Sequence, residues 1–137
     1  MLFRSSLLLC LSVGSLGLLA CGDGPSRGQE EVKTPPPSPV SDAAVEAANV
    51  KFKTLCITCH GAGGKGDGVA AANLNPKPRD YTNAEWQDSV TDEYLASIIV
   101  GGGPSVGKSV LMPPNPDLKD KPDVVKALVQ KVRGFRK

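Results

Sequence analysis

The amino-acid sequence predicts a small all-α domain in which three main helices are joined by long loops. Three segments carry apolar residues at the three- and four-residue intervals of an α-helix. No stretch of useful length alternates apolar and polar residues as a half-buried strand does. The loops Gly61–Asp80 and Gly102–Asp117 are rich in glycine and proline, which favours chain that wraps around a ligand.

The first helix is predicted to begin just after Ser41, whose hydroxyl can cap a helix N-terminus. Its apolar residues follow at spacings of three, four and three: Val45, Ala48, Phe52 and Leu55. This spacing places the four side chains on one helix face, so we expect that face to be buried.

The second helix is predicted to start at Thr91 and to end at Gly101. Asp92 and Glu93 lie in its first turn, where the helix dipole favours negative charge. Its expected buried residues are Leu95, Ile98 and Ile99.

The third helix is predicted to begin at Asp120, because Pro122 is tolerated in a first turn. Its expected buried residues are Val125, Leu128, Val129 and Val132. Basic residues follow near its C-terminal end, where the dipole favours them: Lys131, Arg133, Arg136 and Lys137.

The N-terminal residues have the pattern of an export signal. Arg4 precedes the apolar stretch Leu7–Leu19, which is shorter than the ~20 apolar residues of a membrane-spanning helix. Ala20 provides a small residue before a cleavage site, and Cys21 follows directly. Residues 1–20 therefore resemble a bacterial lipoprotein signal peptide, which implies that Cys21 becomes a lipid-modified first residue. The alternative is ordinary secretion with an unmodified Cys21.

Residues 21–40 are predicted to form a flexible linker to a folded domain over residues 41–137. The linker contains glycine, serine, charged residues and the run Pro35-Pro36-Pro37-Ser38-Pro39, which cannot bury apolar surface. The formal net charge of +2 and the 22% of charged residues do not indicate a nucleic-acid-binding tail, so no nucleic-acid partner is expected.

The motif with the sharpest chemical meaning is Cys56-Ile57-Thr58-Cys59-His60. Cys-x-x-Cys-His is the attachment site of c-type haem. Its spacing brings both sulfurs within reach of the two vinyl groups on one porphyrin edge, and it places the imidazole over the iron. His60 is the only histidine in the sequence, so no other imidazole competes as proximal ligand. We therefore expect one covalently bound haem c.

Three alternatives explain this motif less well. A structural zinc ion usually takes four ligands from two such pairs, whereas only Cys56, Cys59 and His60 are available here. Cys10 leaves with the signal peptide and Cys21 lies in the anchor. A thioredoxin-like dithiol would need a βαβ unit, which the sequence does not show. A plain disulfide explains neither the histidine nor the glycine-rich loop after it.

Met112 is the predicted second axial ligand of the iron. The sequence holds two methionines, and Met1 belongs to the signal peptide. Pro113 and Pro114 follow Met112, stiffen the loop and lack backbone N–H groups. His/Met ligation raises the reduction potential and fills both axial positions, which predicts electron transfer and no catalytic residues.

Residues 42–135 resemble the class I cytochrome c family. The shared order is a helix that ends in the haem motif, a glycine-rich loop, a middle helix, a Met-Pro loop and a C-terminal helix. The resemblance implies that Ala48 and Phe52 on the first helix contact Leu128 on the last. Lys131 departs from the family, which often has an aromatic residue at that position.

The same resemblance implies further roles for loop residues. A loop proline carbonyl, that of Pro76 or Pro78, is expected to fix the proximal imidazole. Tyr81 and Trp86 are expected to pack on the haem or bond its propionates, with ordinary core positions as the alternative.

Two glycine patterns resemble nucleotide-binding motifs. Gly102–Ser109 matches Walker A, but a P-loop needs a strand before it and a helix near its serine, which Pro113 and Pro114 would stop. Gly61, Gly63 and Gly66 match the dinucleotide fingerprint, but no strand precedes them. We therefore expect no bound nucleotide.

Together these features predict a single-electron carrier, lipid-anchored on the periplasmic side of a bacterial membrane. Its expected partners are redox proteins and, through Cys21, the membrane. Five lysines are candidates for steering acidic partners to a haem edge, or for simple solvation: Lys65, Lys77, Lys108, Lys119 and Lys121. The alternatives are a haem subunit of a larger periplasmic oxidoreductase and a small-ligand sensor from which Met112 detaches.

Overall fold

The computed structural model describes residues 39–137, and this part of the protein is all-α, as the sequence predicts. Its α-helices are α1 (Asp42–Lys51), α2 (Ile57–His60), α3 (Ala84–Ser89), α4 (Asp92–Gly101) and α5 (Pro122–Arg133). A π-helical turn, Phe52–Cys56, joins α1 to α2 in one continuous stretch. Short 3₁₀ turns lie in the long loops: Ala71–Asn73, Gly103–Val106 and Pro116–Leu118.

The predicted signal peptide, Cys21 and most of the predicted linker lie outside the described residues. Within residues 39–137, no helix has both the length and the apolar character needed to cross a membrane.

The first helix begins where the sequence predicts, because the Ser41 hydroxyl accepts a hydrogen bond from the Ala44 N–H at 3.3 Å. Its predicted buried face is wrong at both ends, since Val45 is 39% exposed and Leu55 is 45% exposed. The buried face instead comprises Ala44, Ala48 and Phe52, spaced four residues apart. The π-helical turn has more residues per turn than an α-helix, so it rotates Leu55 away from the core.

The second predicted helix corresponds closely to α4. The Thr91 hydroxyl caps it by accepting from the Tyr94 N–H at 3.1 Å, and Gly102 ends it with a φ of 71°. Leu95 is buried, whereas Ile98 and Ile99 are only partly buried.

The third predicted helix corresponds to α5, which begins at Pro122 rather than at Asp120. Its four predicted core residues are buried, together with Ala127. Helix α3 was not predicted, although the sequence contains its cap: the Asn83 side chain accepts from the Trp86 N–H at 2.6 Å. At six residues, α3 is too short to show a helical period.

The core lies between α1 and α5, where Ala48, Phe52 and Leu128 are all buried. The aromatic partner of Phe52 is Phe135, whose ring centroid lies 5.4 Å away. Lys131 stands beside this pair, with its ammonium 5.1 Å from the Phe52 centroid and 2.9 Å from Asn49 Oδ1. A cation over an aromatic face is attracted by the ring quadrupole. Phe135, four residues after Lys131, therefore provides the aromatic contact to Phe52, and the Lys131 ammonium lies over the Phe52 ring.

Candidate haem site

The two cysteines of the motif lie within the continuous helical stretch. Cys56 is the last residue of the π-helical turn, and Cys59 lies in α2. Both are free thiols and partly exposed. Burial raises the pKa of Cys56, and the nearby Lys51 ammonium partly offsets this effect. Helical residues three apart lie on the same face, so both sulfurs are presented on one side of the helix.

His60 ends α2 with its imidazole buried and both ring nitrogens in contact. Nδ1 lies 3.4 Å from the Arg79 carbonyl oxygen, and Nε2 lies 3.0 Å from the Tyr81 hydroxyl. A carbonyl can only accept, so Nδ1 carries the proton and Nε2 accepts from the hydroxyl. Burial lowers the pKa of His60, and the bond to the Arg79 carbonyl opposes this only in part. The imidazole is therefore neutral, with a lone pair on Nε2.

The carbonyl that supports the imidazole belongs to Arg79, so the expected role of Pro76 or Pro78 is corrected. The Pro78 carbonyl oxygen instead occupies the space that a Cβ on Gly66 would need. Gly66 has a φ of 73°, a conformation that glycine adopts without strain. The next carbonyl along the chain, that of Arg79, is the one that faces His60 Nδ1.

Tyr81 is a core residue and a direct partner of His60. Their rings stack with centroids 4.4 Å apart, and Trp86 lies 5.7 Å from Tyr81 on a partly buried position. Burial and the nearby Cys56 and Cys59 thiols raise the pKa of Tyr81, so its hydroxyl stays neutral and donates. Coordination of a metal through Nε2 requires this hydroxyl to leave the nitrogen.

The glycine-rich loop after the motif packs on the backbone of the motif itself. The N–H groups of Gly66 and Gly68 donate to the carbonyls of His60 and Cys59 at 2.9 Å and 3.1 Å. A Cβ on Gly68 would collide with the Thr58 carbonyl. The loop can wrap this closely because glycine has no side chain.

The loop that carries Met112 is fastened to the end of α4. The Gly103 N–H donates to the Met112 carbonyl at 2.9 Å. The buried Asn115 donates twice to the same helix end: its backbone N–H to the Val100 carbonyl at 2.8 Å and its side chain to the Ile99 carbonyl at 2.7 Å. The Met112 side chain is partly buried. Ligation of the haem iron by Met112 stays a prediction.

The five lysines considered for partner docking have different surroundings. Lys77 donates to the Ala71 and Ala72 carbonyls, both at 2.8 Å, and so closes a 3₁₀ turn. Lys119 lines a groove between α4 and α5, and Lys121 lines one between α1 and α5. Lys65 and Lys108 are exposed.

Comparison with known proteins decides the family. The cytochrome c family model matches residues 44–129, more than half of the 137 residues. The chain belongs to the cytochrome c family. A solved c-type cytochrome, KustC0563, is 33% identical over 66% of this chain and 96% of its own, with a TM-score of 0.48. The comparison of this chain with curated proteins found no match. Its family implies covalently bound haem c and electron transfer through the haem rather than enzymatic catalysis.

The chemistry of the described donors fits this group. Two free thiols stand in sequence beside a neutral imidazole, and glycines let the following loop pack closely on the motif backbone. Thiols can add to the porphyrin vinyl groups, and a neutral imidazole is an axial ligand for haem iron.

Proposed function

We propose that this cytochrome carries single electrons on one haem c, attached through Cys56 and Cys59 and ligated by His60 and Met112. The observation that carries the proposal is the neutral His60 imidazole, which lies beside two free thiols with Nδ1 directed at the Arg79 carbonyl. Haem supplies a one-electron couple between ferrous and ferric iron.

The residues of the chain perform three tasks in this proposal. Cys56 and Cys59 make the attachment permanent. The Arg79 carbonyl fixes the ring orientation and tautomer of His60, since a hydrogen bond to the second nitrogen orients a ligating imidazole. Met112 would provide the second protein ligand of the iron and so exclude oxygen and peroxide.

Replacing both Cys56 and Cys59 with Ser is expected to abolish covalent haem attachment, because no sulfur is left to bond the vinyl groups. Cys59→Ser alone should leave at most one thioether link and weaken haem retention. Haem staining after denaturing electrophoresis and the pyridine haemochrome spectrum measure both effects. Thr58→Ser is the matched control, since Thr58 lies in the same motif with an exposed side chain, and it should keep both links.

The proposal is wrong if the wild-type cytochrome, produced in a host that matures c-type haem, is colourless and both thiols react freely. Covalent haem that is intact in Thr58→Ser and absent from the double variant, both produced in the same host, supports the proposal.

The proposed location is the periplasmic side of a bacterial membrane, with Cys21 as a lipid anchor and redox proteins as partners. The sequence pattern before Cys21 supports the anchor. Cys21→Ala is expected to move the cytochrome from the membrane fraction to the soluble periplasmic fraction, because stable anchoring depends on the lipid chains. Cell fractionation and the mass of the mature N-terminus measure this. A variant that stays in the membrane fraction contradicts lipid anchoring.

A further inference from the structure

We propose that Gln87 is a positioning residue for His60, which it controls through the backbone of residues 79–81. This inference rests on the proposed function, in which His60 ligates haem iron.

The Gln87 side chain is a buried clamp. It is 2% exposed, and its Nε2 donates to two carbonyls, those of Tyr81 and Val132, both at 2.8 Å. Its own oxygen accepts from Arg133 Nη1 at 2.9 Å, which orients the amide. Each polar atom of the side chain thus has a partner, and the geometry admits one amide orientation.

The clamp ties the support of His60 to α5. Residues 79–81 provide the Arg79 carbonyl at Nδ1, the contact that is kept when Nε2 binds iron, whereas the Tyr81 hydroxyl then leaves Nε2. The Tyr81 N–H donates to the Gly64 carbonyl at 2.7 Å, so Gln87 holds the opposite side of the same residue. Val132 is a buried residue of α5, and Gln87 therefore connects this short loop segment to the best-packed helix of the core.

The consequence for His60 follows from the position of the Arg79 carbonyl. A carbonyl at Nδ1 raises the donor strength of a ligating imidazole, and a stronger donor stabilises ferric iron. The contact is already long at 3.4 Å. Freeing the Tyr81 carbonyl lets residues 79–81 shift, so the Nδ1 contact weakens and the reduction potential rises.

The test uses the full-length haem-loaded cytochrome with Gln87→Met, which keeps the volume and removes both donors. Exchange of the His60 Nδ1 proton with solvent, followed by NMR, should become faster by about tenfold or more, equivalent to about 1.4 kcal/mol. The reduction potential should rise. Gln87→Asn, whose amide is one methylene shorter and no longer reaches both carbonyls, should shift both readouts in the same direction without adding charge.

Val129→Ala is the matched control for stability. Val129 is a buried α5 residue that lines the groove toward Ala96 and Val100, and its loss leaves a cavity without touching the Gln87 clamp. It should lower stability while leaving the Nδ1 exchange rate and the potential at the wild-type values.

The inference is overturned if Gln87→Met and Val129→Ala give the same exchange rate and the same potential. If Gln87→Met yields no folded protein, Gln87→Asn decides, because it removes the same clamp with a smaller change in chemistry. It should speed the exchange and raise the potential, and a result equal to Val129→Ala overturns the inference. A wild-type protein without His-ligated haem instead refutes the proposed function, so the two failures are distinguishable.

Discussion

Replacing Met112 with Ala is expected to lower the reduction potential of this cytochrome and to open its iron to added ligands. A thioether is a soft ligand that favours ferrous iron, and its loss removes that preference. Axial ligands span about 0.8 V of haem potential, so we expect a fall on the order of 0.1 V. A redox titration measures the potential, and a reduced spectrum with carbon monoxide shows whether the site is open.

Leu111→Ala is the control for this result. Leu111 is the neighbouring residue on the same loop, is 46% exposed and has no ligating atom. It should leave the potential and the carbon monoxide spectrum unchanged. An unchanged spectrum and potential in Met112→Ala would show that Met112 is not the ligand. Binding of carbon monoxide by the wild-type protein would favour the sensor over the electron carrier.

Features of the fold that depend on neighbouring residues could be predicted from the sequence. The caps Ser41 and Thr91 could be predicted because a cap side chain bonds a backbone N–H only three residues ahead, so the interaction is local in sequence. The buried residues of α5 could also be predicted, since one strongly amphipathic helix on a small core leaves a single way to face inward.

Features that depend on distant parts of the chain could not be predicted in this way. The Arg79 carbonyl reaches His60 across nineteen residues, and its direction is determined by the path of the glycine-rich loop. The π-helical turn before Cys56 has no sequence signature, so the exposure of Leu55 was missed. The contact between Phe52 and Phe135 depends on the chain beyond α5.

The Gln87 clamp shows the same limit at the site itself. A glutamine in a short polar segment has no periodicity to indicate burial, and its partners Tyr81 and Val132 lie on opposite sides of it in sequence. By contrast, the chemical identity of the site is local, because two thiols and an imidazole within five residues are enough to predict haem attachment.

Gly102→Ala is expected to cost about 3 kcal/mol or more of unfolding free energy. Gly102 has a φ of 71° and a ψ of −179°, a backbone region that is essentially restricted to glycine and costs another residue about 1–3 kcal/mol. An added Cβ would also lie 2.6 Å from the Met112 carbonyl oxygen and 2.7 Å from the Pro113 carbonyl carbon. Overpacking of this kind costs about 1–3 kcal/mol, and here the obstacle is backbone that cannot rotate away. Urea denaturation of the haem-loaded protein measures the loss.

Gly107→Ala is the control for a positive φ without a collision. Gly107 lies in the same loop with a φ of 68°, but an added Cβ meets nothing within 4 Å, so the change should cost only about 1–2 kcal/mol. The excess cost in Gly102→Ala then combines its greater backbone strain, at a ψ of −179° rather than 29°, with the collision against the Met112 and Pro113 backbone. Because the collision pushes on Met112 and Pro113, Gly102→Ala should also lower the reduction potential, in the same direction as Met112→Ala. Equal stabilities and equal potentials in the two glycine variants would mean that the close approach of Gly102 does not position the methionine loop.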